Sequence, residues 1–323
     1  MRLGRADAAL ALVLMAIVGM MIIPLPTRLL DFLIVSNIAV SVLVLLVAVT
    51  MHDGLRFTAM PTLLLITTLY RLSLNVSSTR LILLQADAGE VIRSFGEFVV
   101  RGDYVVGGVI FLVLTLIQYV VVARGAERVA EVGARFTLDA MPGKQMSIDA
   151  DLRSGAIHAQ EARARRALME RESRLYGAMD GAMKFVKGDV IAGIVITLVN
   201  IVAGVGIGVG MRDLGVGDAM RLYGLLTVGD GLVSQIPSLL TATGAGIVVT
   251  RVASRAEGAS LASDIGSQLF GDPRVLGIGA AFLACLALVP GLPALPFGFL
   301  ACLLGVSAYT TARVRSVALP TTI

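Results

Sequence analysis

"FVKGDVIAGIVITLVNIVAG", residues 185–204, opens with two charges, Lys187 and Asp189, and then runs apolar for long enough to cross a bilayer. A helix needs about 20 such residues, at about 1.5 Å each, to span roughly 30 Å of hydrocarbon. The rest of the chain repeats the pattern. Apolar residues make up 56% of 323 and charged residues only 15%, a balance outside that of soluble domains. Similar windows lie at 8–23, 29–49, 57–74, 105–123, 190–209, 225–249, 275–289 and 295–311. None alternates as a barrel strand does. The sequence predicts an all-α, polytopic membrane protein with about eight transmembrane helices.

The first window follows Arg2 and Arg5 and so imitates a signal peptide. "MMIIPLPTR", residues 20–28, offers no small-residue cleavage site, and a second window follows at once. We read the first as a retained helix. The longest polar interruption, 124–188, is dense in Lys and Arg and is expected to be cytoplasmic. Spans one to four then occupy 1–123 and spans five to eight 189–312, with 313–323 a cytoplasmic tail. Both termini lie inside, in keeping with Arg2 and Arg5 at one end and Arg313 and Arg315 at the other. Residues 71–104 would be an outer loop, yet they carry Arg71, Arg80, Arg93 and Arg101. This stretch is read instead as an interfacial or re-entrant helix held against protein.

Within the insertion, "RFTLDAMPGKQMSIDADLRSGAI" (135–157) mixes turn residues Pro142 and Gly143 with short apolar anchors. "HAQEARARRALMERESRLYGAMDG" (158–181) reads as a helix, with Glu161/Arg165, Arg166/Glu170 and Glu170/Arg174 at i,i+4. A small helical subdomain is expected. Its basic residues suit a solvated face drawn to anionic lipid or a docking surface for partners. No aromatic residues are interleaved for base stacking, so nucleic acid is not an expected partner.

Charges inside spans carry more information. One at the bilayer centre costs about 3 kcal/mol on insertion scales, so it faces protein or a wet path. Asp31, Arg71, Asp189 and Asp230 are the candidates, each near a window end, where a boundary charge is the competing reading. Asp189 stands out. A carboxylate in the first turn of a span is favoured by the helix dipole, Lys184 and Lys187 would keep it ionised, and Thr197 and Asn200 extend a polar track. A proton or cation relay needs such a cytoplasmic end. In "LTVGDGLVSQIPSLLTATGAGIVVTR" (226–251), Asp230 sits between Gly229 and Gly231, ahead of Pro237, with Gln235, Ser238, Thr241 and Thr243 following. This suits a cavity wall or hinge, or hydrogen-bonding glue between helices.

Enzymatic chemistry has little to stand on. "GVGIGVG" (204–210) ends an apolar helix rather than following a strand, so it reads as close packing and helix termination rather than a nucleotide fingerprint. "TVGD" lacks the first glycine of the G-x-G-D proteases, and no P-loop, H-E-x-x-H or G-x-S-x-G is present. Cys285 and Cys302 lie in the last two windows on either side of a turn placed near Gly291, at different depths, and read as packing residues. His52 and His158 lack metal-ligand spacing. We expect neither an enzyme nor a cofactor.

Four blocks carry a family resemblance. "RLSLNVSSTRLIL" (71–83), "RGAERVAEVGARFTLDAMPGKQMSIDADLRSGAI" (124–157), "YGAMDGAMKFVKGDVIAG" (176–193) and "LTVGDGLVSQIPSLL" (226–240) resemble, in order, the signature blocks of the type III secretion export-gate family, also called FHIPEP. Its flagellar branch is FlhA and its injectisome branch SctV; "LLQADAG" (83–89) and "GKQMSID" (143–149) resemble the latter. The resemblance implies an inner-membrane homo-oligomeric ring of nine subunits, working with other export-apparatus membrane proteins and coupling the proton motive force to export of unfolded proteins. It also implies that Asp31, Asp189 and Asp230 couple protons or other cations. Arg71, Arg80, Arg128, Arg135, Asp139 and Lys184 match charged family positions, and Lys187 is added as a neighbour of Asp189. Family members continue into a large cytosolic domain that receives chaperones and substrates, whereas the chain ends at Ile323. It therefore corresponds to the membrane portion. The expected mechanism has protons reach Asp189 and alter its pairing with Lys184, Lys187 or a charge on the insertion. Two alternatives stand beside it: an ion-coupled carrier of small solutes, and a ring scaffold whose charges only lock subunits together.

Overall fold

The computed structural model describes residues 5–51, 53–100, 102–252, 261–289 and 293–318. Arg2, His52, Arg101 and the turn placed at Gly291 lie outside them. Among the described residues the regular elements are all helices, with no strand. They divide into two units, Met1–Arg255 and Ala256–Ile323.

The first unit runs α1 (Arg5–Ile22), α2 (Thr27–Thr50), α3 (Met60–Gln85), α4 (Glu90–Val100), α5 (Tyr104–Ile117), a π turn (Gln118–Ala123), α6 (Arg124–Arg153), α7 (Ala159–Met211) and α8 (Val216–Val252). The second holds α9 (Leu261–Phe270), α10 (Pro273–Ala287) and α11 (Ala294–Ala318), with α10 and α11 packed as a hairpin. Among the described residues, six helical runs are long and apolar enough to cross a membrane: α1, α2, the run from α5 into α6, α7, α8 and α11. The two remaining windows of the sequence fall on α10, which is apolar but shorter, and on α3.

In α3 the apolar pattern is inverted. Thr67, Thr68, Arg71, Ser73, Asn75, Ser77 and Ser78 are all buried, so the polar face points inward and the helix resembles no ordinary lipid-facing span. Residues 71–85 are not a separate helix. They continue α3 to a left-handed C-cap at Ala86, and only α4 corresponds to the amphipathic piece expected in 71–104. α4 packs along α8, where Gly96 and Gly229 let backbones touch: a Cβ on Gly229 would stand 2.0 Å from the Ile92 carbonyl oxygen.

The polar insertion is a helical hairpin. α6 runs through Pro142 and Gly143, so neither is a turn. The reversal comes at Gly155, whose φ of +73° suits glycine. Cross-hairpin pairs hold the arms: Lys144 to Glu172 at 3.3 Å, Arg165 to Asp151 at 3.3 Å, and Arg166 to Asp149. Arg166 therefore reaches across the hairpin instead of to Glu170. The i,i+4 pairs Glu161/Arg165 and Glu170/Arg174 do form. α7 carries the hairpin's second arm straight into the apolar run as one helix of 53 residues, about 80 Å long at about 1.5 Å per residue.

Two apolar clusters flank the middle of the unit. One joins Val44, Ala48, Leu64, Met183, Val186, Ala242 and Ala245. The other joins Leu30, Ile82, Ile92, Tyr223 and Leu226. "GVGIGVG" contributes close packing, as its glycines suggested: a Cβ on Gly204 or Gly208 would strike the Tyr223 ring at 2.4 or 2.9 Å. Pro237 leaves α8 unbroken.

Candidate functional site

Three helices each turn one polar stripe to the space between those clusters. On α3 the stripe is Arg71, Asn75 and Ser78, spaced i, i+4, i+7. On α7 it is Asp189, Gly193, Thr197 and Asn200; on α8 it is Asp230, Ser234, Ser238 and Thr241. These spacings place each set on one helix face, and the stripes meet in a polar seam.

Two rungs fix the register. In the first, Arg71 (1% exposed) faces Asp189 (6% exposed). Its Nε donates to Asp189 Oδ2 at 2.9 Å and its Nη2 lies 2.8 Å from the same oxygen. Arg71 Nη1 donates to Thr241 Oγ1 at 3.1 Å and Nη2 to Thr68 Oγ1 at 3.3 Å. Asp189 Oδ1 has no hydrogen-bond partner among the described residues. In the second rung, Asn200 Nδ2 donates to Asp230 Oδ2 at 3.5 Å, and no cation pairs with Asp230 among the described residues. Eleven residues separate Asp189 from Asn200 on α7, and eleven separate Asp230 from Thr241 on α8. Antiparallel helices with equal intervals put the rungs about 16 Å apart at about 1.5 Å per residue.

Small cavities fill the interval. One, of ≈ 30 Å³, is lined by Asp189, Gly193, Thr197, Ser234, Ser238 and Asn75, with Thr115 and Gln118 from α5 and the π turn. The other, of ≈ 10 Å³, is lined by Asp230, Ser78, Asn75, Ser234, Asn37 and Arg71. A water needs about 10–15 Å³, so these spaces suit water and nothing larger.

The FHIPEP family model matches residues 17–321. The chain belongs to the FHIPEP family. It is 53% identical over 316 residues to "Low calcium response locus protein D" of Yersinia pestis, a match covering 98% of this chain and 45% of the relative. It is 52% identical over 307 residues to "Hypersensitivity response secretion protein HrcV" of Ralstonia nicotianae, covering 94% and 44%. "Secretion system apparatus protein SsaV" of Salmonella typhimurium is 49% identical over 314 residues, covering 97% and 46%. The chain thus spans a little under half the length of these curated relatives. They are of the injectisome type, the branch that "LLQADAG" and "GKQMSID" resemble. No solved structure matches the chain. Membership and the apolar helices together make it a polytopic inner-membrane protein.

Of the charged positions matched to the FHIPEP blocks, the seam gathers Arg71, Asp189 and Asp230. The others lie elsewhere. Lys184 pairs with Asp180 at 2.8 Å and Lys187 with Glu127 at 3.0 Å, so the partner of Asp189 is an arginine 118 residues away rather than either lysine. Arg128 pairs with Glu131 at 3.1 Å, and Arg135 and Asp139 are exposed on α6. Arg80 donates to the Ile22 and Met21 carbonyls at 2.9 and 2.8 Å, closing the C-terminus of α1. Asp31 accepts from Glu90 N and Val91 N, each at 3.1 Å, and so caps the N-terminus of α4. Gly89 makes that cap possible: its φ is +94°, and a Cβ there would stand 2.4 Å from Asp31 Oδ1. Gly89→Ala is expected to cost about 1–3 kcal/mol through strained backbone. Asp31→Ala is expected to cost about 1 kcal/mol as a lost cap. Thermal unfolding in detergent checks both.

Asn75, Ser78, Ser234, Asn37 and Gln118 were not among the residues singled out for chemistry. The i, i+4, i+7 spacing of Arg71, Asn75 and Ser78 inside "RLSLNVSSTRLIL" was the available signal.

Proposed function

We propose that the chain is the membrane portion of a type III secretion export gate, assembled as a ring of identical subunits, that uses the proton motive force to drive protein export. The relatives' names describe secretion proteins, and the observation that carries the coupling is the buried Arg71–Asp189 pair. A charge pair withdrawn from both water and lipid is costly to keep. Protonating Asp189 would remove its half of the pair and release Arg71 to Thr241 and Thr68. α7 runs without a break from Asp189 into the hairpin, and Lys187 ties it to Glu127 on α6 just past the π turn. A change at Asp189 therefore has a stiff lever at hand.

One charge crossing 100 mV releases about 2.3 kcal/mol, enough to shift a two-state equilibrium about fiftyfold. In this reading the hairpin and both termini are cytoplasmic, and the coupled ion is a proton. The exposed apolar faces of α1, α2 and α5 serve lipid and neighbouring subunits, and the protein acts as an apparatus component rather than an enzyme. Cavities of ≈ 30 and ≈ 10 Å³ speak against a solute carrier, whose pocket would need about 300 Å³ or more.

The test is secretion by cells carrying the assembled apparatus. Asp189→Asn is expected to bring secretion to background while the protein stays in the membrane at wild-type abundance. Secretion at the wild-type rate would overturn the proposal.

A further inference from the structure

The two cavities of the seam share walls, and the shared residues are Asn75 and Ser234. Asn75 stands one turn beyond Arg71 on α3, and Ser234 one turn beyond Asp230 on α8. One reaches in from the Asp189 rung and the other from the Asp230 rung. Between the rungs lie about 16 Å at about 1.5 Å per residue, too far for direct transfer between the carboxylates.

From this geometry we infer that Asn75 and Ser234 form the joint of a water-linked proton path between Asp230 and Asp189, Asn75 by holding the waters in place and Ser234 by passing the proton through its hydroxyl. The inference rests on the proton-coupling reading above and adds the route. At about 10–15 Å³ per water, the larger cavity holds two waters and the smaller one. Three waters and the Ser234 hydroxyl supply the carriers along the interval, each within reach of a hydrogen bond to the next, with Asn75 holding the waters in line.

The side chains suit the task. The Asn75 amide donates through Nδ2 and accepts through Oδ1, so it holds a water on each side. The Ser234 hydroxyl donates to the Gly231 carbonyl at 2.8 Å, which leaves its lone pairs for the cavities. When that hydroxyl swings from the carbonyl, its oxygen takes a proton from the water on one side as its own proton passes to the water on the other. One O–H bond forms as one breaks, and the serine ends neutral. The charges facing the joint are Arg71 from α3, Asp189 from α7 and Asp230 from α8; α2 and α5 with its π turn contribute only the neutral Asn37, Thr115 and Gln118.

Ser234→Val and Ser234→Thr separate the hydroxyl from its shape, because valine and threonine are near-isosteres that differ at one group. Secretion and proton uptake are measured in cells carrying the assembled apparatus, with Asp189→Asn in parallel. Ser234→Val is expected to lower both by about tenfold, the effect of about 1.4 kcal/mol on a barrier, and Ser234→Thr to restore them. Asn75→Leu is expected to match the valine variant. Valine and threonine variants that are equally active, or equally impaired, would overturn the joint. If Asp189→Asn alone abolished secretion, the joint would fail and the coupling proposal would stand; if Asp189→Asn were silent, the coupling proposal itself would fall.

Discussion

Replacing Arg71 by methionine and Asp189 by leucine in one chain is expected to recover most of the stability that either single replacement removes, while secretion stays at background in all three variants. Each single replacement leaves an uncompensated charge at a site where Arg71 is 1% and Asp189 6% exposed, a penalty of about 3–5 kcal/mol. The double replacement leaves none. Apolar residues of similar volume commonly substitute for buried ion pairs without loss, and the Thr241 hydroxyl keeps an acceptor of its own, the Pro237 carbonyl at 2.9 Å. Thermal unfolding of the purified variants reads stability, and secretion by cells reads coupling.

The experiment separates two roles that a single substitution confounds. A pair that only fastens α3 to α7 is dispensable once the fastening is apolar, so a double variant that secretes would reduce the Arg71–Asp189 rung to architecture. A pair that must change protonation cannot be replaced by groups that hold no proton. The expected outcome is a stable, silent protein.

The long spans were legible in the sequence because lipid imposes one simple rule on the outward face of a helix. The second half of α3 hid behind the same rule. Its polar residues point inward, so hydropathy ends the third window at 74 and the stretch from Arg71 through Arg80 read as an interfacial or re-entrant helix rather than the continuation of that span. Pro142 misled for a related reason. Turn chemistry favours proline and glycine in sequence, but cross-hairpin ion pairs from Lys144, Arg165 and Arg166 hold α6 through it. Asp189 and Asp230 could be singled out from composition alone, since any carboxylate in an apolar run is conspicuous. Their environments could not. Arg71 is 118 residues from Asp189, Lys184 and Lys187 are nearer in the chain, and only packing shows that the lysines are engaged by Asp180 and Glu127. Asp31 and Arg80 are equally conspicuous as charges, yet they fasten helix ends. A charge pattern marks where polar groups are needed without distinguishing a proton path from a cap.

The glycines beside Asp230 extend that distinction to the backbone, and their alanine variants should form a graded series with Gly246→Ala, further along α8, as its reference. Gly229→Ala is expected to be the most damaging, because its Cβ would stand 2.0 Å from the Ile92 carbonyl oxygen and 3.1 Å from Gly96 N. Both are backbone atoms of α4, so α4 must lift from α8 and expose Ile92, which is fully buried against Tyr223 and Leu226; overpacking of this kind costs about 1–3 kcal/mol or more. Gly231→Ala should be milder. Its Cβ would meet the Phe111 ring at 2.5 Å, and a ring can rotate aside. Gly246→Ala, with nothing within 4 Å, should be neutral or stabilise by up to about 1 kcal/mol through helix propensity. Thermal unfolding of the three variants tests the order. If Gly229 served as a hinge rather than a contact, Gly229→Ala would leave stability intact and impair only secretion. If it serves the α4–α8 contact, stability and secretion fall together, because lifting α4 unseats the stretch of α8 that holds Asp230 against Asn200.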